Sequence, residues 1–299
     1  MRPLLRVGGI LIGLLAISLC LRTIAGEWHE IRHAVATADP LLMLLGLLGS
    51  VVGMSFLAVL WRSALIAFGE RISFRHALAW YFAGELGKYL PGGVWQVVGR
   101  GELAVRGGVR RSVGYASTLV SMVVMCIAAA VVCGVLAPLL AMDGNGFGWE
   151  ILLLLLIPLG VVAVHPRVFG RVLGLVERLS KGRLKLDPPP WPVMLRLIIT
   201  GTPTWFLVGG ASVAVTAALG YDQNPARIAF AAVTAWIVGF LAIPVPAGAG
   251  IRELVFVAVC GLAAGPATAV AALARILLLI TDAAGGAAGL SASRSRPSG

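Results

Sequence analysis

Three long apolar runs without a charged residue constrain this chain more than any other feature. They extend over residues 41–60, 113–142 and 197–221. A helix satisfies its own backbone hydrogen bonds in lipid, and a hydrocarbon core about 30 Å thick needs roughly 20 apolar residues per helical span. Charged residues make up 12% of the chain, whereas an average soluble domain has about 25%. The runs therefore predict an all-α polytopic membrane protein and exclude a soluble fold.

The first apolar segment, residues 7–21, has two interpretations. Arg2 and Arg6 precede it, as in a signal peptide, which has a basic amino end and a short apolar core. The residues after it lack a small-x-small cleavage site, and Leu19 before Cys20 does not suit a lipoprotein signal. We therefore favour a retained first membrane span.

Basic residues are concentrated on alternate loops. If the amino terminus is cytoplasmic, most arginines and lysines lie inside, and the opposite side receives only Arg22, Arg32 and Arg227. Positively charged loops stay cytoplasmic during insertion. We therefore expect a multi-pass protein of the cytoplasmic (inner) membrane with both termini in the cytoplasm. The net charge of +11 follows from this topology, so it does not indicate binding to nucleic acid.

The segment 165–192 is basic and amphipathic. Its apolar residues recur at helical spacing, at Val168, Val172, Leu175 and Leu179. Its basic residues lie off this stripe, and prolines 188–190 end the segment. The pattern predicts a cytoplasmic interfacial linker helix. Two roles remain open for it: an ordinary linker on anionic headgroups, or an element that recognises a specific lipid.

The two halves of the chain share a weak internal repeat. Placed over the first half without a gap, the second half aligns Arg71-Ile72 with Arg227-Ile228 and Trp80 with Trp236. Each copy then reaches a run of prolines and glycines, at residues 90–93 and 244–250. Shortly after each run come a basic residue, a glutamate and a leucine, at residues 100–103 and 252–254.

Proline removes a backbone donor and glycine admits unusual conformations, so each run is expected to reverse the chain. The result is two re-entrant helical hairpins, residues 71–111 and 227–264. Loop charges place the first entry on the cytoplasmic side and the second outside, which makes an inverted repeat. We expect about six full spans beside the hairpins, among them residues 7–21 and 149–164. The alternative is that both breaks are kinks in ordinary spanning helices.

Ionisable residues at membrane depth cost at least about 2.5 kcal/mol each, so they usually face a cavity or a partner. Inverted-repeat transporters bind substrate where broken helices meet. We therefore predict a substrate-binding site formed by Glu85, Lys88, Pro91, Gly92, Gly93, Arg100, Glu102, Pro246, Gly248, Gly250, Arg252, Glu253, Arg275 and Asp282. The alternative is structural: pairs such as Arg275 with Asp282 lock helices together.

Residues 84–95, Gly-Glu-Leu-Gly-Lys-Tyr-Leu-Pro-Gly-Gly-Val-Trp, are followed by Gly99-Arg100, and residues 244–253 read Pro-Val-Pro-Ala-Gly-Ala-Gly-Ile-Arg-Glu. These motifs resemble the transmembrane region of the lysylphosphatidylglycerol synthase (multiple peptide resistance factor) family and its stand-alone relatives. The resemblance implies a flippase: the membrane half of those synthases moves aminoacylated phosphatidylglycerol between leaflets, and archaeal relatives are linked to polyprenyl-phosphate sugars. The sequence ends at Gly299 without the soluble aminoacyl-transferase domain, so lipid synthesis is not expected.

The predicted function is translocation of an anionic phospholipid or a polyprenyl-phosphate-linked sugar, with no enzymatic step and a membrane lipid as partner. One alternative is a membrane-embedded enzyme on a lipid-phosphate substrate, with carboxylates such as Glu85 and Asp282 as acid and base. Another is a non-transporting assembly factor. The four cysteines lie in apolar stretches without zinc spacing, so no metal or other cofactor is expected. A homo-oligomer remains open.

Overall fold

The described part of the chain folds into helices joined by short turns. The computed structural model of the protein describes residues 36–90, 94–141, 155–179, 189–242 and 245–294. The α-helices within these segments are α1 (Pro40–Ala67), α2 (Phe74–Glu85), α3 (Trp95–Arg106), α4 (Arg111–Ala141), α5 (Leu156–Ala163), α6 (Pro166–Leu179), α7 (Trp191–Ala218), α8 (Pro225–Leu241), α9 (Ile251–Val259) and α10 (Ala264–Arg294). Two 3₁₀ turns complete them: the first tip turn (Leu86–Tyr89) and the second tip turn (Pro246–Gly248).

Four of the described helices, α1, α4, α7 and α10, are long and apolar enough to cross a membrane. This confirms the prediction of a polytopic α-helical membrane protein. Of the further predicted spans, residues 7–21 lie outside the described residues. The predicted span at 149–164 is described only from residue 155 onward, and this part forms α5.

Short polar side chains define where several helices begin. Asp39 Oδ1 accepts a hydrogen bond from the backbone N–H of Leu41 at the start of α1, at 2.8 Å. Asn224 Oδ1 does the same for Ala226 at the start of α8, at 2.8 Å. Such caps satisfy donors that the first helical turn leaves without a partner. They fix the points at which α1 and α8 leave their loops.

Helices α1 and α7 are antiparallel and packed along their length. The backbone N–H of Asp39, just before α1, donates to the carbonyl of Ala218 at the end of α7, at 2.9 Å. Further along, Gly46 faces Ala211 and Gly53 faces Thr204. Small residues allow this close approach of two membrane helices. Because α2 follows α1 and α8 follows α7, helices α2 and α8 start from opposite ends of the α1–α7 pair.

The chain reverses at both breaks. In the first hairpin (α2, the first tip turn and α3), the Gly87 backbone faces Gln96, and Gly84 faces Arg100. In the second hairpin (α8, the second tip turn and α9), Gly239 faces Arg252. In each hairpin the two arms pack against each other. The chain therefore folds back on itself at each break, as in a helical hairpin.

Three of the four hairpin arms are far too short to cross a bilayer on their own, and the fourth, α8, has 17 residues, against the roughly 20 of a full span. Helices α2 and α3 have 12 residues each and α9 has nine. At 1.5 Å per residue they span about 18 Å and 14 Å, against a hydrocarbon core of about 30 Å. The first tip turn contacts the second tip turn. The two hairpins therefore start from opposite ends of the bundle and meet inside it.

The contacts between helices repeat in matched form across the two halves. Helix α10 packs on α2 of the first hairpin, and α4 packs on α8 of the second. Likewise, α4 contacts α3, and α10 contacts α9. Each hairpin thus packs against the long helix of the opposite half as well as that of its own half, as expected for an inverted repeat.

Candidate functional site

Charged side chains gather where the two hairpin tips meet α10. We call the seven residues the tip cluster: Glu85, Lys88, Arg100, Arg252, Glu253, Arg275 and Asp282. Three of them are almost completely buried, with exposed fractions of 2% for Glu85, 3% for Arg100 and 1% for Asp282. Buried charges are stable only when they are paired or hydrogen-bonded, so their arrangement is informative.

Lys88 joins the first hairpin to α10. Its Nζ lies 3.1 Å from Oε1 of Glu85 and 2.7 Å from Oδ2 of Asp282. The hydroxyl of Tyr89 also donates to Oδ2 of Asp282, at 2.6 Å. One ammonium group therefore bridges two buried carboxylates that lie on different parts of the chain.

Arg100 neutralises the other side of Glu85. Its guanidinium forms an ion pair with Oε2 of Glu85 and lies over the ring of Tyr81, at 4.1 Å from the ring centroid. The side chain crosses α2 at Gly84, where an added Cβ atom would overlap Cγ of Arg100. Ion pairing and the cation–π contact together stabilise this buried cation.

Arg252 of the second hairpin has no such carboxylate. Its guanidinium lies over the ring of Trp236, at 4.6 Å from the centroid, and its side chain crosses α8 at Gly239. Among the described residues, its side chain has no ion-pair partner, and its Nε is buried without a hydrogen bond. The nearby Arg275 forms its ion pair with Glu253. Arg252 is thus a cation whose charge the described protein does not directly balance.

Two small cavities open beside Arg252. The larger has a volume of about 70 Å³, and its polar lining consists of Lys88, Tyr89, Ser212, Arg252, Glu253, Arg275 and Asp282. The smaller, of about 30 Å³, is lined by Glu85, Lys88, Gln96, Phe240 and Arg252 among others. Each exceeds the roughly 10–15 Å³ that a single water needs. Polar groups of a ligand therefore have room to reach Arg252 from the tips.

The tip cluster carries a surplus of positive charge. It holds four cations, Lys88, Arg100, Arg252 and Arg275, and three carboxylates, Glu85, Glu253 and Asp282. Oε2 of Glu253 and Oδ1 of Asp282 are buried and accept no hydrogen bond in the described chain. An anionic ligand with donor groups complements this arrangement, since it would neutralise the surplus and satisfy the free acceptors.

The second tip turn depends on glycine. Gly248 and Gly250 have φ of 67° and 80°, which L side chains rarely adopt. A Cβ on Gly248 would also come within 2.7 Å of the Cα of Gly239. Pro246 begins this turn. Pro91, Gly92 and Gly93, which were predicted for the opposite tip, lie outside the described residues.

Glu102 lies apart from the tip cluster. Its carboxylate pairs with Arg111 at 2.7 Å and accepts a hydrogen bond from the hydroxyl of Tyr115 at 2.7 Å. Both partners belong to α4, near its first residues. The alternative pairing of Arg275 with Asp282 also differs from the structure, because Arg275 pairs with Glu253 and Asp282 pairs with Lys88.

The structure also brings to the tip cluster residues that were not predicted from the sequence. Tyr81, Tyr89 and Gln96 face the tip cluster, and the ring of Trp236 lies against the guanidinium of Arg252. A signal for two of them was present: an aromatic residue stands three positions before a glycine in both hairpins, Tyr81 before Gly84 and Trp236 before Gly239. The ungapped alignment, which matched Trp80 with Trp236, is one residue out of register there.

Among the residues that the structure describes, no three His, Cys, Asp or Glu side chains come together as metal ligands. No curated protein matches the chain. The sequence model of one protein family, described as the lysylphosphatidylglycerol synthase TM region, matches residues 6–286. The match spans both hairpins and nearly all of the chain, and it confirms the resemblance carried by residues 84–95 and 244–253. The chain therefore belongs to the family of the lysylphosphatidylglycerol synthase transmembrane region.

Proposed function

We propose that this multi-pass membrane protein is a lipid flippase. It moves an anionic phospholipid or a polyprenyl-phosphate-linked sugar between the leaflets of the cytoplasmic membrane, with both of its termini in the cytoplasm, and it does not alter the lipid chemically. Family membership supports the general class, since this region has a lipid-related membrane function. The observation that carries the proposal is the unbalanced Arg252 beside the cavities at the meeting tips.

The electrostatics of the tip cluster suit a phosphate in transit. A charged group at the bilayer centre costs at least about 2.5 kcal/mol, and a fixed cation in a polar cavity lowers that cost. Arg252 supplies the cation, and its planar guanidinium can donate two parallel hydrogen bonds to phosphate oxygens. The other three cations are held by carboxylates. One anion therefore brings the cluster to neutrality.

The inverted arrangement supplies a route between leaflets. The two hairpins start from opposite ends of the α1–α7 pair, and their tips touch. Rocking of one half against the other would open the tip cluster to one face and then to the other. The headgroup passes between the tips, while the acyl or polyprenyl chains remain in the lipid outside.

The linker helix α6 is expected to rest on the cytoplasmic leaflet. Arg167, Arg171 and Arg178 line an open groove on it, together with Gly170 and Gly174. Arginines near an anionic membrane surface contribute about 1 kcal/mol each to attraction. This helix would hold the connection between the two halves at the membrane surface during the rocking motion.

Reconstitution tests the proposal. Purified protein in phosphatidylcholine liposomes should expose inner-leaflet fluorescent phosphatidylglycerol, or a fluorescent polyprenyl-phosphate sugar, to a membrane-impermeant quencher. The Arg252→Ala variant should lose this activity, whereas Arg71→Ala, at an exposed position outside the cluster, should keep it. Leaflet distributions that stay unchanged for both lipids would contradict the flippase. A chemically altered lipid, detected by mass spectrometry, would favour the enzyme.

A further inference from the structure

We infer that the lipid phosphate binds beside Arg252, at the position equivalent to that of the Glu85 carboxylate beside Arg100. In the second hairpin the equivalent residue is Phe240, which carries no charge. The inference rests on the proposed function and names the place within the tip cluster where the anion is held. It follows from a comparison of the two hairpins with each other.

The two arginines have the same surroundings in their own hairpins. Arg100 crosses α2 at Gly84 and lies over Tyr81, three residues earlier. Arg252 crosses α8 at Gly239 and lies over Trp236, also three residues earlier. In both cases the glycine leaves the space that the arginine stem occupies, and the aromatic ring supports the guanidinium. The hairpins therefore contain two copies of one arginine site.

The copies differ at the residue that follows the glycine. In the first hairpin this residue is Glu85, whose carboxylate pairs with Arg100. In the second hairpin it is Phe240, whose ring stacks on Trp236 with centroids 5.5 Å apart. A helix presents the residue after the glycine in the same direction in each copy. The second copy thus has the cation and the aromatic support, and it lacks the anion.

The missing anion has space and access. Phe240 and Arg252 line the cavity of about 30 Å³, and Arg252 also lines the larger cavity of about 70 Å³. Glu85 and Lys88 border the smaller cavity, so the first copy lies next to the second across the meeting tips. Glu85 therefore serves as an internal example of how an anion is bound: in an ion pair with the guanidinium, beside the supporting ring.

A carboxylate introduced at position 240 should act as a built-in competitor. We would compare Phe240→Glu with its neutral isostere Phe240→Gln, using isothermal titration with dioctanoyl phosphatidylglycerol in maltoside micelles and the liposome assay. Phe240→Glu should bind the lipid at least about tenfold more weakly than Phe240→Gln, a difference of 1.4 kcal/mol, and should not flip it. Equal binding by the two variants would overturn the inference.

A second measurement introduces the charge after folding. In a background without the four native cysteines, Phe240→Cys would be labelled with anionic 2-sulfonatoethyl or neutral 2-hydroxyethyl methanethiosulfonate. Only the anionic label should abolish lipid binding. Loss with both labels, or with neither, would contradict an anion site at this position.

Two further outcomes separate the inference from the proposed function. If the wild-type protein flips neither lipid but binds dioctanoyl phosphatidylglycerol in a manner that Phe240→Glu abolishes, the flippase is wrong and the anion site stands. If the wild-type protein flips lipid and Phe240→Glu flips it equally well, the flippase stands and the site is wrong. Inorganic phosphate that binds as tightly as the lipid would identify a soluble anion as the ligand.

Discussion

Arg252 crosses helix α8 directly over Gly239, so closely that a Cβ atom on this glycine would overlap Cγ of the arginine. The same relationship holds between Arg100 and Gly84 in the first hairpin. It fixes where each guanidinium lies relative to its tip turn. One of these guanidinium groups pairs with a carboxylate of the protein, and the other has no ion-pair partner among the described residues.

Gly239→Ala should displace Arg252 from its position over Trp236. The added methyl group occupies the space of the arginine stem, so the guanidinium must move away from the cavities. We expect lipid transport to fall at least about tenfold, which requires a loss of only 1.4 kcal/mol. Gly210→Ala in α7 is the matched control, because no atom lies within 4 Å of a Cβ there. Equal transport rates for the two variants would contradict the assigned position of Arg252.

Arg100→Ala and Arg252→Ala should have different consequences for stability. Removal of Arg100 deprives the buried Glu85 of one of its two cationic partners, and breaking a buried pair costs roughly 3–5 kcal/mol. Removal of Arg252 leaves no such carboxylate behind in the described chain. We therefore expect Arg100→Ala to lower the thermal transition of the purified protein strongly.

In the same experiment Arg252→Ala should melt close to the wild type and yet lose transport. The melting curves are measured in detergent by thiol-independent scanning fluorimetry, and transport is measured in liposomes. A large loss of stability in Arg252→Ala would mean that this arginine has a structural partner and is not held for a ligand.

Asp282→Asn should increase the surplus of positive charge in the tip cluster by one. Lys88 would keep Glu85 as an ionic partner, and the amide oxygen could still accept from the Tyr89 hydroxyl. We expect dioctanoyl phosphatidylglycerol to bind several-fold more tightly and to be released more slowly, since about 0.8 kcal/mol corresponds to a fourfold change. Titration calorimetry and transport rates test this. Weaker binding would show that the lipid needs the carboxylate itself.

Glu102→Gln should leave lipid transport close to the wild-type rate. Its carboxylate pairs with Arg111 and Tyr115 outside the tip cluster, and Arg111 is largely exposed. Pairs of this kind are worth about 0–1 kcal/mol, so the fold should also tolerate the change. The same liposome assay provides the measurement. A loss of transport as large as that of Arg252→Ala would bring Glu102 back among the substrate-binding residues.

The opposite entry of the two hairpins can be tested by labelling. Arg71 and Asp222 are exposed and precede the first and second hairpins respectively. In a cysteine-free background, Arg71→Cys should react with an impermeant maleimide only from the cytoplasmic side, and Asp222→Cys only from outside. Labelling of both positions from one side would contradict the inverted arrangement.

The sequence by itself determined the class of the protein and its organisation. Apolar runs of span length require helices, because lipid offers the backbone no hydrogen-bond partner. The two Pro/Gly runs marked the chain reversals, since proline and glycine interrupt helical hydrogen bonding and geometry. Loop charges indicated the opposite entry of the hairpins, which agrees with the antiparallel packing of α1 and α7. All seven residues of the tip cluster were also among the predicted site residues, because ionisable groups are rare at membrane depth.

Only the tertiary structure decided which charges on different helices meet. Sequence spacing paired Arg275 with Asp282 on one helix face, yet Arg275 pairs with Glu253 and Asp282 with Lys88. The sequence also did not indicate that Glu85 neutralises Arg100, whereas Arg252 has no ion-pair partner among the described residues. Ion pairing depends on distances between side chains of different helices, and those distances follow from packing at glycines such as Gly84 and Gly239. The two halves differ in register by one residue, which an ungapped alignment does not show. With this shift, Glu85 and Phe240 occupy equivalent positions in the two hairpins.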